Sequence, residues 1–152
     1  MGFVVAAIVS EPAAVLDRFV RWYLAQGAEA VWLFFDNPAC EAISGFVGRK
    51  GVRVIRCDES FWSSLGLSSE VRFTRRQNAA LTWAYGQVGS SWLLNVDADE
   101  LMYFPGMTLA RRLESVPAEI CTVRVASAEL VGAEVKEQVF RLQLPRSKVA
   151  GI

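Results

Sequence analysis

The chain has 152 residues, with 16 Lys and Arg balanced by 16 Asp and Glu, and it contains no histidine. A hydrophobic share of 53% supplies a core for one domain of ordinary size, so disorder is excluded as the main state. A net charge of zero argues against non-specific nucleic-acid binding, and the missing histidine removes His-based triads, His-ligated zinc and imidazole shuttles. Acid–base or metal chemistry must therefore rest on carboxylates, with Lys, Arg, Tyr or Cys in support.

Cys40, Cys57 and Cys121 lack metal-ligand spacing and read as buried structural thiols in a reducing compartment. The apolar run Phe3 to Val9 is far shorter than the ~20 residues that span a bilayer, and no basic flank precedes it. A cytoplasmic chain without a transmembrane segment or signal peptide is expected.

Phe3 to Val9 is a continuous β-branched run, as in a strand buried on both faces. Ser10-Glu11-Pro12 offers a cap for a helix carrying Val15, Leu16, Phe19, Val20, Tyr23 and Leu24 at helical spacing, with Gly27 as its stop. Ala30 to Phe35 reads as a second buried strand ending at Asp36-Asn37-Pro38. A short helical stretch over 39–47 and a turn over 48–51 lead to a third strand, 52–57, ending at Asp58.

Residues 59–74 show no clean period, and Ser63, Ser64, Gly66, Ser68 and Ser69 mark a mobile loop in which Trp62 is an exposed aromatic able to cover a sugar or base. Arg75 to Val88 is helical and stops at Gly89. A fourth strand, 91–96, runs into Asp97-Ala98-Asp99-Glu100. Thr108 caps a short helix through Val116, Ile120 to Ala126 alternates as a strand, and Val139 to Leu144 reads as an edge strand. The expected architecture is one doubly wound, Rossmann-like α/β domain with a mostly parallel central sheet flanked by helices.

Three of these strands end on an acid: Asp36, Asp58 and Asp97. Ligands of parallel α/β sheets bind beyond the carboxyl ends of the strands, so these acids face one crevice, although aspartate is also a common turn and cap residue there. Asp97 and Asp99 fall on the same side of an extended segment. At about 6–7 Å and an effective dielectric of ~20 they repel by roughly 2–3 kcal/mol, which a hard cation such as Mg2+ or Mn2+ would relieve. Arg72, Arg75 and Arg76 gather at the start of a helix, where cations oppose the dipole; this suits an anionic partner, a solvated face or pairing with Glu70.

The strand with Asp36-Asn37-Pro38, the Arg75-Arg76-Gln77-Asn78-Ala79-Ala80 segment and Trp92-Leu93-Leu94-Asn95-Val96-Asp97-Ala98-Asp99-Glu100-Leu101 together resemble family 2-like glycosyltransferases with the A-type nucleotide-sugar fold. Arg21-Trp22-Tyr23-Leu24-Ala25-Gln26-Gly27-Ala28 is similar to the same branch. The resemblance spans about residues 3–126 and implies a metal-dependent, inverting transfer from a nucleotide-diphosphate-sugar donor to an acceptor hydroxyl on a glycan, lipid or small molecule.

It implies a nucleobase contact for Asp36, a nucleotide-side contact for Arg75 or Arg76, a ribose or sugar contact for Asp97 and a metal contact for Asp99. Asp97 doubles as a metal ligand, and Asp58 is a further nucleotide-side candidate. Ser10-Glu11-Pro12 departs from the Arg-Asn-Glu that many relatives carry after the first strand. Residues 3–104 would form the nucleotide-sugar-binding half and 105–152 a short acceptor half, where Glu129, Glu134 and Glu137 lie without a motif that singles out a base. The competing expectation is a truncated or degenerate donor-binding domain without turnover.

Overall fold

The computed structural model describes residues 2–89, 91–131 and 139–142. The chain divides into two compact units, 1–116 and 117–152.

The first unit carries a four-stranded, fully parallel sheet in the order β3-β2-β1-β4. Its strands are β1 (Phe3–Val9), β2 (Ala30–Phe35), β3 (Val52–Arg56) and β4 (Trp92–Asn95). Alternation splits the apolar runs between two cores. Phe3, Val5, Ala7 and Val9 of β1, with Val31, Leu33 and Phe35 of β2, pack beneath helix α1 (Ala13–Ala25) through Leu16, Phe19, Val20 and Tyr23. On the opposite face Val4, Ala6, Trp32, Phe34 and Ile55 meet Trp62 of α2 (Glu59–Ser64) and Ala80 and Ala84 of α3 (Phe73–Gln87). Helices thus cover both faces of the sheet, which is why β1 and β2 are apolar throughout.

Two glycines end elements in the left-handed region: Gly27 after α1 (φ +89°) and Gly89 after α3 (φ +63°). Ser10 does not cap α1; Pro12 holds that position without a side-chain bond. The 39–47 stretch narrows to a 3-10 helix over Glu41–Gly45. Helix α4 (Leu109–Glu114) is capped by Thr108, whose hydroxyl accepts from the Arg111 N–H.

Two further expectations are corrected. Residues 59–64 are helical rather than loop, and Trp62 is 1% exposed, seated against the sheet. Residues 120–126 form no strand; Ile120, Val123 and Val125 are exposed there. The second unit instead pairs β5 (Ala128–Val131) with β6 (Val139–Leu142) as an antiparallel hairpin of its own. Residues 143 and 144 lie outside the described ones, as do Glu134 and Glu137. Among the described residues no helix is long and apolar enough to cross a membrane.

Candidate functional site

In the order β3-β2-β1-β4 the chain reverses direction of growth beside β1, and a crevice opens where successive crossovers depart to opposite faces. A cleft of about 490 Å3 lies there, within the usual range for small-molecule sites. Ile8, Ser10 and Glu11 line it from the end of β1, Asp36 from the end of β2, Asp97 and Asp99 from beyond β4, and Phe73 and Gln77 from the first turns of α3.

Asp97 and Asp99 reach the cleft by a different backbone from the extended one expected. The strand stops at Asn95, and the Glu100 N–H donates to the Asp97 carbonyl at 3.0 Å, closing a turn around Ala98. Ala98 is 1% exposed and joins the α1-side core, whereas both flanking acids are exposed. Burying the alanine methyl turns its neighbours outward. Neither carboxylate receives a hydrogen bond or ion pair from the described residues, so their charges are left for solvent or a ligand.

Asp36 is differently placed. Its Oδ1 and Oδ2 accept from Nε and Nη2 of Arg76 at 3.0 and 2.6 Å. The remaining Nη1 donates to the Ser69 carbonyl at 2.7 Å and also to that of Val71. The guanidinium lies 5.8 Å from the Trp62 ring centre and 5.9 Å from that of Phe73. The Asp36 carboxylate holds Arg76 still more firmly protonated than usual. Arg76 therefore ties the end of β2 to the segment entering α3, which sets the wall of the cleft.

The other two candidates stand apart. Asp58 caps α2, its Oδ1 accepting from the Phe61 N–H at 2.8 Å, and is absent from the cleft lining. Arg75 is exposed and does not line the cleft either. Burial pushes the Cys57 thiol up to about 12, with the Asp36 and Asp58 carboxylates adding to the effect, so it is an inert core residue, whereas Cys121 is exposed rather than buried.

Ile8, Phe73 and Gln77 are lining residues that sequence reasoning missed. The available signal was the i, i+4 spacing of Phe73 and Gln77, concealed by starting the helix at Arg75. Glu11, from the Ser10-Glu11-Pro12 loop after β1, contributes a further cleft carboxylate, and its Oε2 accepts from the Ser10 N–H at 2.8 Å.

Among the described residues no three His, Cys, Asp or Glu side chains converge to hold an ion by themselves. Asp97 and Asp99, which accept from no described donor, are the cleft carboxylates that could share a hard divalent cation, its other positions going to water or phosphate oxygens. Comparison with known proteins returned no matching family model, no matching curated protein and no matching solved structure.

Proposed function

We propose that the chain is a metal-dependent glycosyltransferase of the A-type nucleotide-sugar fold, moving a sugar from a nucleotide-diphosphate-sugar donor to an acceptor hydroxyl with inversion. One observation carries this reading: Asp36, Asp97 and Asp99 line a single cleft beyond the carboxyl ends of a parallel sheet. Helix α3 opens beside that cleft with neither a side-chain cap nor an acid in its first turn, a helix start that suits an anion.

Asp97 and Asp99 would hold Mg2+ or Mn2+, which when bound neutralises charge on a diphosphate leaving group. Phe73 would give the nucleoside an apolar surface, and Asp36, fixed by Arg76, would accept from its polar edge. A second reading, donor binding without turnover, draws on Glu129. That acid is paired with Arg141 across the β5–β6 hairpin.

The test is a donor panel with Mn2+, following melting temperature for binding and released nucleoside diphosphate for turnover. Mn2+ with a nucleoside diphosphate should raise the melting temperature, and Asp99→Asn should abolish the rise. A rise without release of nucleoside diphosphate favours the second reading, and no rise with any donor removes both.

A further inference from the structure

The segment after β4 carries the cleft acids yet is itself neither strand nor helix from residue 96 to residue 107. Its backbone groups need partners from elsewhere. Helix α1 supplies them. The Tyr23 hydroxyl donates to the Glu100 carbonyl at 3.1 Å and accepts from the Met102 N–H at 3.1 Å. The neighbouring Trp22 donates from Nε1 to the Met102 carbonyl at 3.0 Å.

Both backbone groups of Met102 are thus held by consecutive side chains of one helix. One turn later the Gln26 side chain accepts from the Leu109 N–H at 3.0 Å, and the Gln26 carbonyl from the Ala110 N–H at 3.1 Å. Tyr23 is fully buried, packed edge-on against Phe19, in the same core that takes Ala98.

We propose that Tyr23, assisted by Trp22, is a positioning residue that fixes the Asp97-Ala98-Asp99-Glu100 turn and so presents both carboxylates to the cleft. Any role in cation binding rests on the function proposed above; the hold on the turn does not. A backbone segment without its own ladder has little local cost of opening, and two side chains from α1 restrain it from Glu100 to Met102. The groups behind metal-binding carboxylates usually matter through such restraint, typically at 10- to 100-fold in affinity. Tyr23 touches neither acid; it acts through the backbone.

The experiment compares the intact protein with Tyr23→Phe and with Val20→Ala, a buried change on the same helix that makes no hydrogen bond to the turn. Amide hydrogen exchange at residues 97–102 is measured against the amides of β1, and Mn2+ affinity by calorimetry with the ion alone. Tyr23→Phe should speed exchange of the Met102 amide about tenfold relative to β1 and weaken Mn2+ by about tenfold. Val20→Ala should lower the melting temperature while leaving Met102 exchange and Mn2+ affinity unchanged.

Unchanged Met102 exchange in Tyr23→Phe overturns the proposal, as does an equal change in Val20→Ala. If the unsubstituted protein takes up no Mn2+, the metal reading fails by itself, and Met102 exchange still decides whether Tyr23 holds the turn.

Discussion

Arg76 and Asp36, 40 residues apart, meet as a two-pronged ion pair whose side chains are only 15% and 22% exposed. The pair joins α3 to the end of β2, and the third guanidinium nitrogen secures the segment that enters α3. Asp36 is therefore at once a cleft-lining acid and the anchor of the cleft wall. Arg76→Met should cost about 2–3 kcal/mol, since it strands a partly buried carboxylate and frees two carbonyls. Arg76→Lys should recover little of this, because an ammonium cannot reproduce a planar fork with four bonds. Urea denaturation of the two variants measures both; a lysine variant as stable as the original would show that charge alone suffices.

Of the aromatic residues beside this pair, Phe73 and not Trp62 is the one open to the cleft. Trp62 is buried between the sheet and the Phe61 and Arg76 side chains, whereas Phe73 stands 47% exposed in the cleft. Trp62→Ala should cost about 3–5 kcal/mol by cavity formation. Phe73→Ala should alter stability by less than about 1 kcal/mol and weaken a nucleoside diphosphate selectively, leaving inorganic pyrophosphate with Mn2+ unaffected. Thermal melts give the first pair of values and competition binding the second. Equal losses for both ligands would place Phe73 outside the nucleoside contact.

Asp58 separates capping from ligand contact. Its side chain meets the Phe61 N–H at the start of a six-residue helix and does not reach the cleft lining. Asp58→Ala should cost about 1 kcal/mol of stability, and Asp58→Ser almost nothing, since serine caps equally well. Neither should change the response to Mn2+ and a nucleoside diphosphate, and an altered response to the serine variant would return Asp58 to the site.

The sheet was legible because its central strands are unambiguous. Phe3 to Val9 and Ala30 to Phe35 are continuous, β-branched and aromatic, and the strands occupy those residues without shift. Helix α1 was legible from its period. The six residues of α2 are too few to display one, and what buries Trp62 is distant in sequence: the sheet, and α3.

Alternation over 120–126 misled for a related reason. A strand exists only through its ladder, and in the second unit Leu130 stands opposite Phe140, leaving Ile120 to Ala126 outside the pairing. Within the cleft, Asp-x-Asp spacing was visible, but the turn that aims the acids depends on burial of Ala98 and on bonds from Trp22 and Tyr23, some 80 positions away. Pairing of Arg76 with Asp36 likewise needs the fold before it can be seen.

Alkaline pH tests the buried acids of both cores. Burial raises the Cys57 thiol from 9.0 to about 12 on the α3 side, and the Tyr23 hydroxyl from 10.0 to about 12 on the α1 side. Each group is neutral when protonated, so the fold favours the protonated form. The unfolded chain then binds fewer protons than the folded one in the interval between the two values. Stability from Cys57 is full below pH 9 and lost as pH climbs from 9 toward 12; that from Tyr23 is full below pH 10 and lost over 10 to 12. Unfolding free energy should therefore be flat with respect to these two groups at neutral pH and fall steeply above pH 9. In Cys57→Ala the onset should move up to pH 10, where Tyr23 begins to act, with the thiol's share of the slope gone. Urea midpoints collected from pH 7 to 11 measure the profile, and an onset left at pH 9 in the alanine variant would assign the alkaline loss to another group.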